Sequence, residues 1–133
     1  MKKTTTYTLL PEKLVEKIEQ TELPKKQKDK AIRLVDLMLN KANRERLLMW
    51  EFIDLPQAYL QKVFGKYHSW FKVLREQGVI ECTDKYFQGQ AKRYRINPDL
   101  LQGRFCSINY LREGLHICST FLHKDLIVND LRQ

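Results

Sequence analysis

Cysteine is scarce in this chain: three in 133 residues, Cys82, Cys106 and Cys118, with no close pair among them. An odd, widely spaced set excludes the dense disulfide framework of a small secreted domain. Long apolar runs are missing too, and nothing approaches the roughly 18–20 residues that a membrane span needs. The opening residues MKKTTTYTLLPEK start basic but lack the apolar stretch of a secretory signal. A reducing cytoplasm and no membrane partner are therefore expected. Phosphate-cradling Walker loops, Gly-rich dinucleotide fingerprints and Gly-x-Ser-x-Gly elbows are all lacking. Carboxylates stand without an Asp-x-Asp metal pair. Cys106, His116, Cys118 and His123 do not fall at the CxxC or HxxxH spacings of structural zinc sites. His68-Ser69 with Asp84 is no triad fragment, because adjacent helical residues point apart. No catalytic residue, metal or cofactor is assigned, and the chain is not expected to be an enzyme.

What the sequence does have is positive charge and aromatic mass. Twenty-four Lys/Arg face 16 Asp/Glu, a net charge of +8, and the hydrophobic fraction of 43% includes two Trp, six Tyr and six Phe. That composition supports one packed domain with terminal extensions and favours an anionic partner. The excess sits in two blocks. Pro24–Arg46 and Pro56–Pro98 each hold eight bases against three acids.

Thr4–Leu10, β-branched and polar, reads as a short strand or an arm. Pro11-Glu12 opens a short helix with Leu14, Val15 and Ile18 on one stripe, ending near Gln20. After Pro24, Ile32, Val35 and Leu39 recur at helical spacing, predicting a long helix over Lys28–Lys41. Its basic beginning opposes the helix dipole, so those charges are expected to serve something else. Arg46–Asp54 is open between helix extension and a short strand. Pro56 starts another helix, with Tyr59, Leu60, Val63 and Phe64 as its apolar face and Gly65 as its stop. The next helix spans roughly Lys66–Gln77 and is capped by Gly78. Val79–Thr83 and Arg93–Asn97 read as strands, with Ile80, Cys82, Tyr94 and Ile96 inward. A polar, basic hairpin loop, residues 84–92, joins them. From Leu111 to Leu131 the apolar residues predict one more helix, with Gly114 a blemish near its start.

The helix after Gly65 carries two faces. Tyr67, Trp70, Phe71 and Leu74 stack on one side, while His68, Ser69, Lys72 and Arg75 lie on another. A helix of this kind can bury its aromatics and offer its basic face to a major groove. Arg93 and Arg95 project opposite Tyr94 and Ile96, since side chains alternate along a strand. With Lys85 and Lys92 they make a cationic ribbon suited to phosphates, and helix and ribbon cations are expected to share one side.

At this point YHSWFKVLREQGVIECTDKYFQGQAKRYRINP resembles the third helix, strands and wing of winged helix-turn-helix domains. Leu74, Gly78, Ile80, Tyr94 and Ile96 fall on that family's Leu-x-x-x-Gly-x-Ile and Tyr-x-Ile positions. The Tyr-Phe-x-Gly-x-x-x-x-Tyr-Arg-Ile-Asn wording is most similar to phage and plasmid replication proteins; transcription regulators share the domain. A bacterial cell or phage-infected host is the setting this implies.

The resulting expectation is an α+β, mainly α fold: a winged helix-turn-helix with extra N- and C-terminal helices. Residues 1–23 would form an arm and short helix, 24–98 the winged-helix domain, and 99–133 a helical extension. The core would comprise Ile32, Val35, Leu39, Leu60, Phe64, Phe71, Leu74, Ile80, Tyr94 and Ile96. Double-stranded DNA is the expected partner, with RNA a further option. His68, Ser69, Lys72 and Arg75 would face the groove, and Lys62, Lys66, Lys85, Lys92, Arg93 and Arg95 the phosphates. The alternative is a protein-interaction module: a homodimer or docking domain using residues 111–131, or a small phage inhibitor of a host nucleic-acid-binding protein.

Overall fold

The structure, a computed structural model, describes residues 7–39, 41–83, 93–111 and 114–118. Among these residues the fold is α+β. Strand β1 (Tyr7–Pro11) leads directly into α1 (Glu12–Glu19), followed by α2 (Lys25–Met38) and α3 (Lys41–Leu48). Then come β2 (Ile53–Asp54), α4 (Gln57–Phe64), α5 (His68–Glu76), β3 (Ile80–Cys82) and β4 (Arg93–Ile96). A 3₁₀ turn over Pro98–Leu101 leads to β5 (Phe105–Leu111) and β6 (Gly114–Cys118).

The strands form two antiparallel sheets of order β1-β5-β6 and β2-β4-β3. In the second, β4 is central. Tyr94 lies opposite Ile53 on one side and Cys82 on the other, and Ile96 lies opposite Ile80. One hydrophobic cluster joins both sheets to the helices, running from Leu10 through Leu14, Ile32, Val35, Leu60, Trp70 and Leu74 to Ile108. Nine of the ten core residues read from the sequence are buried; Leu39 only packs against the cluster's edge.

Three sequence expectations are corrected. The long helix begins at Lys25 and ends at Met38, three residues earlier at each end than Lys28–Lys41. Pro24 sets this start, since proline is compatible with a helix beginning and not with its interior. On α4 only Leu60 and Phe64 are buried, while Tyr59 and Val63 lie one helical step off the stripe and are exposed. Most consequentially, the stretch from Leu111 is not helical where it is described. Leu111 ends β5 and Gly114–Cys118 form β6, with Ile108 opposite Ile117. Tyr7–Pro11 pairs along the other edge of β5 over five residues. Strand pairing, local between β5 and β6 and long-range between β5 and β1, has overridden the apolar count, and Gly114, costly inside a helix, stands at a strand end instead. Residues 119–133, the remainder of the expected helix, lie outside the described residues.

The stretch Arg46–Asp54, open in the sequence between helix and strand, holds both in turn, the end of α3 and then β2. Two glycines shape the second half. Gly65, between α4 and α5, has φ 70 and ψ −128, a conformation closed to residues with a Cβ. Gly78 (φ 78) ends α5 in a Schellman turn: Val79 N–H donates to the Leu74 carbonyl at 2.8 Å and Gly78 N–H to that of Arg75 at 3.2 Å. Asn97 locks this turn to the end of β4, its side-chain amide donating to the Gly78 carbonyl at 2.9 Å. In urea denaturation, Gly78→Ala is expected to lower stability by about 1–2 kcal/mol. Gly65→Ala is expected to lower it more, by up to about 3 kcal/mol. Negligible effects at both positions would mean that neither turn depends on glycine.

Candidate nucleic-acid interface

Helix α5 is short and two-sided because its sequence, HSWFKVLRE, spaces Trp70, Phe71 and Leu74 three and four apart. All three are buried, Trp70 to 1% exposure. Trp70 meets Phe64 of α4 edge-on at 5.5 Å between ring centroids, and Phe71 meets Tyr94 of β4 edge-on at 5.1 Å. Tyr67, just before the helix, packs edge-on to Phe71 at 5.8 Å. Aromatic pairs of this geometry add about 0.5–1.5 kcal/mol beyond area burial. They fix the rotation of α5 about its axis.

That rotation turns His68, Ser69, Lys72 and Arg75 outward, and all four are exposed. His68, Lys72 and Arg75 recur at four and three residues, so they form a single stripe. The four groups assigned to the recognition helix are therefore brought together. His68 stacks on Tyr67 at 4.2 Å, with its Nε2 3.4 Å from the Gln57 amide nitrogen. The Arg75 guanidinium lies over the Phe71 ring, 5.8 Å from its centroid. Burial raises the Tyr94 hydroxyl's pKa above its ordinary value, with Cys82 and Tyr67 adding to the shift and Arg75 opposing it. Burial also raises Tyr67.

Lys62 on α4 and Lys66 in the following turn are exposed as well. Among the described residues, no carboxylate forms an ion pair with Lys62, Lys66, Lys72 or Arg75. Their charge is uncommitted and open to an external anion.

The ribbon cations are placed differently. Tyr94 and Ile96 are buried on the α5 side of the sheet, so Arg93 and Arg95 extend from the opposite face. Arg93 Nε is 3.1 Å from Asp54 Oδ1, with both side chains well exposed. Arg95 is held more firmly. Its Nε lies 2.8 Å from Glu81 Oε1, its Nη1 donates to the Trp50 carbonyl at 2.8 Å, and its guanidinium stacks 4.6 Å from the Phe52 ring centroid. Nothing in the sequence points to the Trp50 or Phe52 contact, because partners 45 residues apart leave no local periodicity. Lys85 and Lys92 lie outside the described residues.

The first basic block also has a structural use. Lys28 Nζ donates to the Glu19 carbonyl at 2.8 Å, satisfying the end of α1, and Lys25 pairs with Asp29 at 3.0 Å. A cation at a helix C-terminus is stabilising, which accounts for part of the unfavourable charge at the beginning of α2.

Among the described residues, no helix is long and apolar enough to cross a membrane. No protein-family model, no curated protein and no solved structure matches the chain. Arg95→Ala is expected to destabilise the fold by about 1–3 kcal/mol, since it removes charge-assisted hydrogen bonds. Lys72→Ala should stay within about 0.5 kcal/mol of the parent. Thermal melts of the two variants would check this, and equal stabilities would contradict the structural role of Arg95.

Proposed function

We propose that this chain is a non-catalytic DNA-binding protein of winged helix-turn-helix type. Helix α5 would enter the major groove and present His68, Ser69, Lys72 and Arg75 to base edges and phosphates. Lys62 and Lys66 would hold the flanking backbone. The carrying observation is a set of exposed cations on α4, α5 and the turn between them that lack acidic partners among the described residues, with the α5 members set opposite a side locked by aromatics.

The element order supports the same reading. A helix, a two-residue strand, two helices joined by a glycine turn, then two strands pairing in the order β2-β4-β3 is the arrangement expected of the resemblance. The residues that resemble phage and plasmid replication proteins favour a role in replication or transcription control. Arg95 is excluded from the proposed contacts, because Glu81 and the Trp50 carbonyl already occupy it. Arg93, paired with Asp54 on the same far face, is a lesser contributor.

A duplex gripped by n phosphate contacts loses affinity with salt at a slope of about −0.9n, so each lost contact flattens the slope by roughly one unit. Lys62→Ala and Lys66→Ala are each expected to do this uniformly across sequences, as measured by fluorescence anisotropy at several salt concentrations. Lys72→Ala should flatten the slope and also relax sequence preference. Duplex affinity that is insensitive to salt, or unchanged in all three variants, would refute the assignment.

A further inference from the structure

Helix α3 ends in the same hydrogen-bonded turn as α5, with a different residue at its critical position. Glu51 N–H donates to the Arg46 carbonyl and Trp50 N–H to that of Leu47, each at 2.9 Å. Trp50 is thus the counterpart of Gly78, with φ 67, and is the only non-glycine residue of positive φ among the described residues. An L residue held in the left-handed region costs roughly 1–2 kcal/mol that glycine avoids. The core does not explain the choice, since Trp50 is 54% exposed and its neighbour Met49 is 65% exposed. Burial of the indole therefore does not offset the strain of this backbone position.

The surroundings indicate what meets it. Three ion pairs lie on the segment and on the sheet face next to it: Arg46–Glu51 at 3.2 Å, Arg93–Asp54 at 3.1 Å and Arg95–Glu81 at 2.8 Å. Three cations are matched by three acids, in a chain whose net charge is +8. These three pairs neutralise one another, so two copies of a basic chain meet less repulsion at this patch than at the unpaired cations of α4 and α5. Around a two-fold axis, such ion pairs can also exchange partners between copies, because the same patch faces itself. Arg95 grips the Trp50 carbonyl and stacks on Phe52, so the backbone that carries the indole is held in place before any partner arrives. Tryptophan and arginine are the residue types that dominate interface energies.

We infer that Met49 and Trp50, framed by these ion pairs, form a self-association surface through which two copies of the chain pack. It lies toward the sheet face turned away from α5, so association leaves both copies of α5 uncovered. The inference does not depend on the nucleic-acid reading.

Sedimentation of the full chain over a wide concentration range tests it, with intrinsic fluorescence read in parallel. Trp70 is buried, so Trp50 is the indole that reports a change of solvent contact. The expected result is a concentration-dependent rise from 16.0 kDa towards a two-chain mass, accompanied by a blue shift of emission. Trp50→Gly and Trp50→Asn, which both suit the left-handed backbone, should keep the folded circular dichroism spectrum. Each should weaken self-association by about thirtyfold or more, the loss typical of a truncated anchor residue. A parent chain that remains monomeric throughout would overturn the inference, as would variants that associate as well as the parent. Loss of the folded spectrum in both variants would assign Trp50 to the fold and overturn it equally.

Discussion

The aromatic seat of α5 is the constraint on which the rest of the arrangement depends. Trp70 against Phe64 and Phe71 against Tyr94 tie one helix to its predecessor and to the central strand of a sheet. Leu74, fully buried, anchors its far end. Fully burying one such side chain contributes about 1.5–3 kcal/mol, far more than the several tenths that separate one exposed rotamer from another. Burial therefore decides which way the helix turns, and the basic stripe faces outward as a consequence. The charges need no stabilising partner because the core holds the helix that carries them.

The same logic divides the cations by purpose. Lys28 closes α1, Lys25 and Arg46 pair with nearby acids, and Arg95 binds a strand to the loop before β2. Lys62, Lys66, Lys72 and Arg75 do none of these things. A net charge, summed over the sequence, cannot distinguish the two groups, whereas their partners can. On the sheet face turned away from α5, Arg93 and Arg95 are each paired with an acid.

Much of this was legible in the residue pattern wherever the determining contacts are local. Tyr67, Trp70, Phe71 and Leu74 announce a buried stripe through their spacing alone, and Gly65 and Gly78 mark both ends of the helix between them. Strand alternation correctly assigns Tyr94 and Ile96 to the interior and Arg93 and Arg95 to the exterior. The direction of that exterior was not legible, because it depends on which face of the sheet α5 covers. Helix and ribbon cations on one side was therefore an expectation that local periodicity could not supply. The strands β5 and β6 were hidden for a related reason. The central strand β5 takes one of its two partners from Tyr7–Pro11, about a hundred residues away in sequence, and β6 is added on its other edge. Trp50 was obscured because nothing about a tryptophan advertises a left-handed cap; only the paired hydrogen bonds at the end of α3 reveal it.

The most direct test is an amide chemical-shift titration of the full chain with a short DNA duplex. The account predicts that the largest perturbations fall on His68, Ser69, Lys72 and Arg75, with Lys62 and Lys66 next, and that the Trp50–Arg95 face stays quiet. Perturbations centred on that far face, or none at all at low salt, would contradict it.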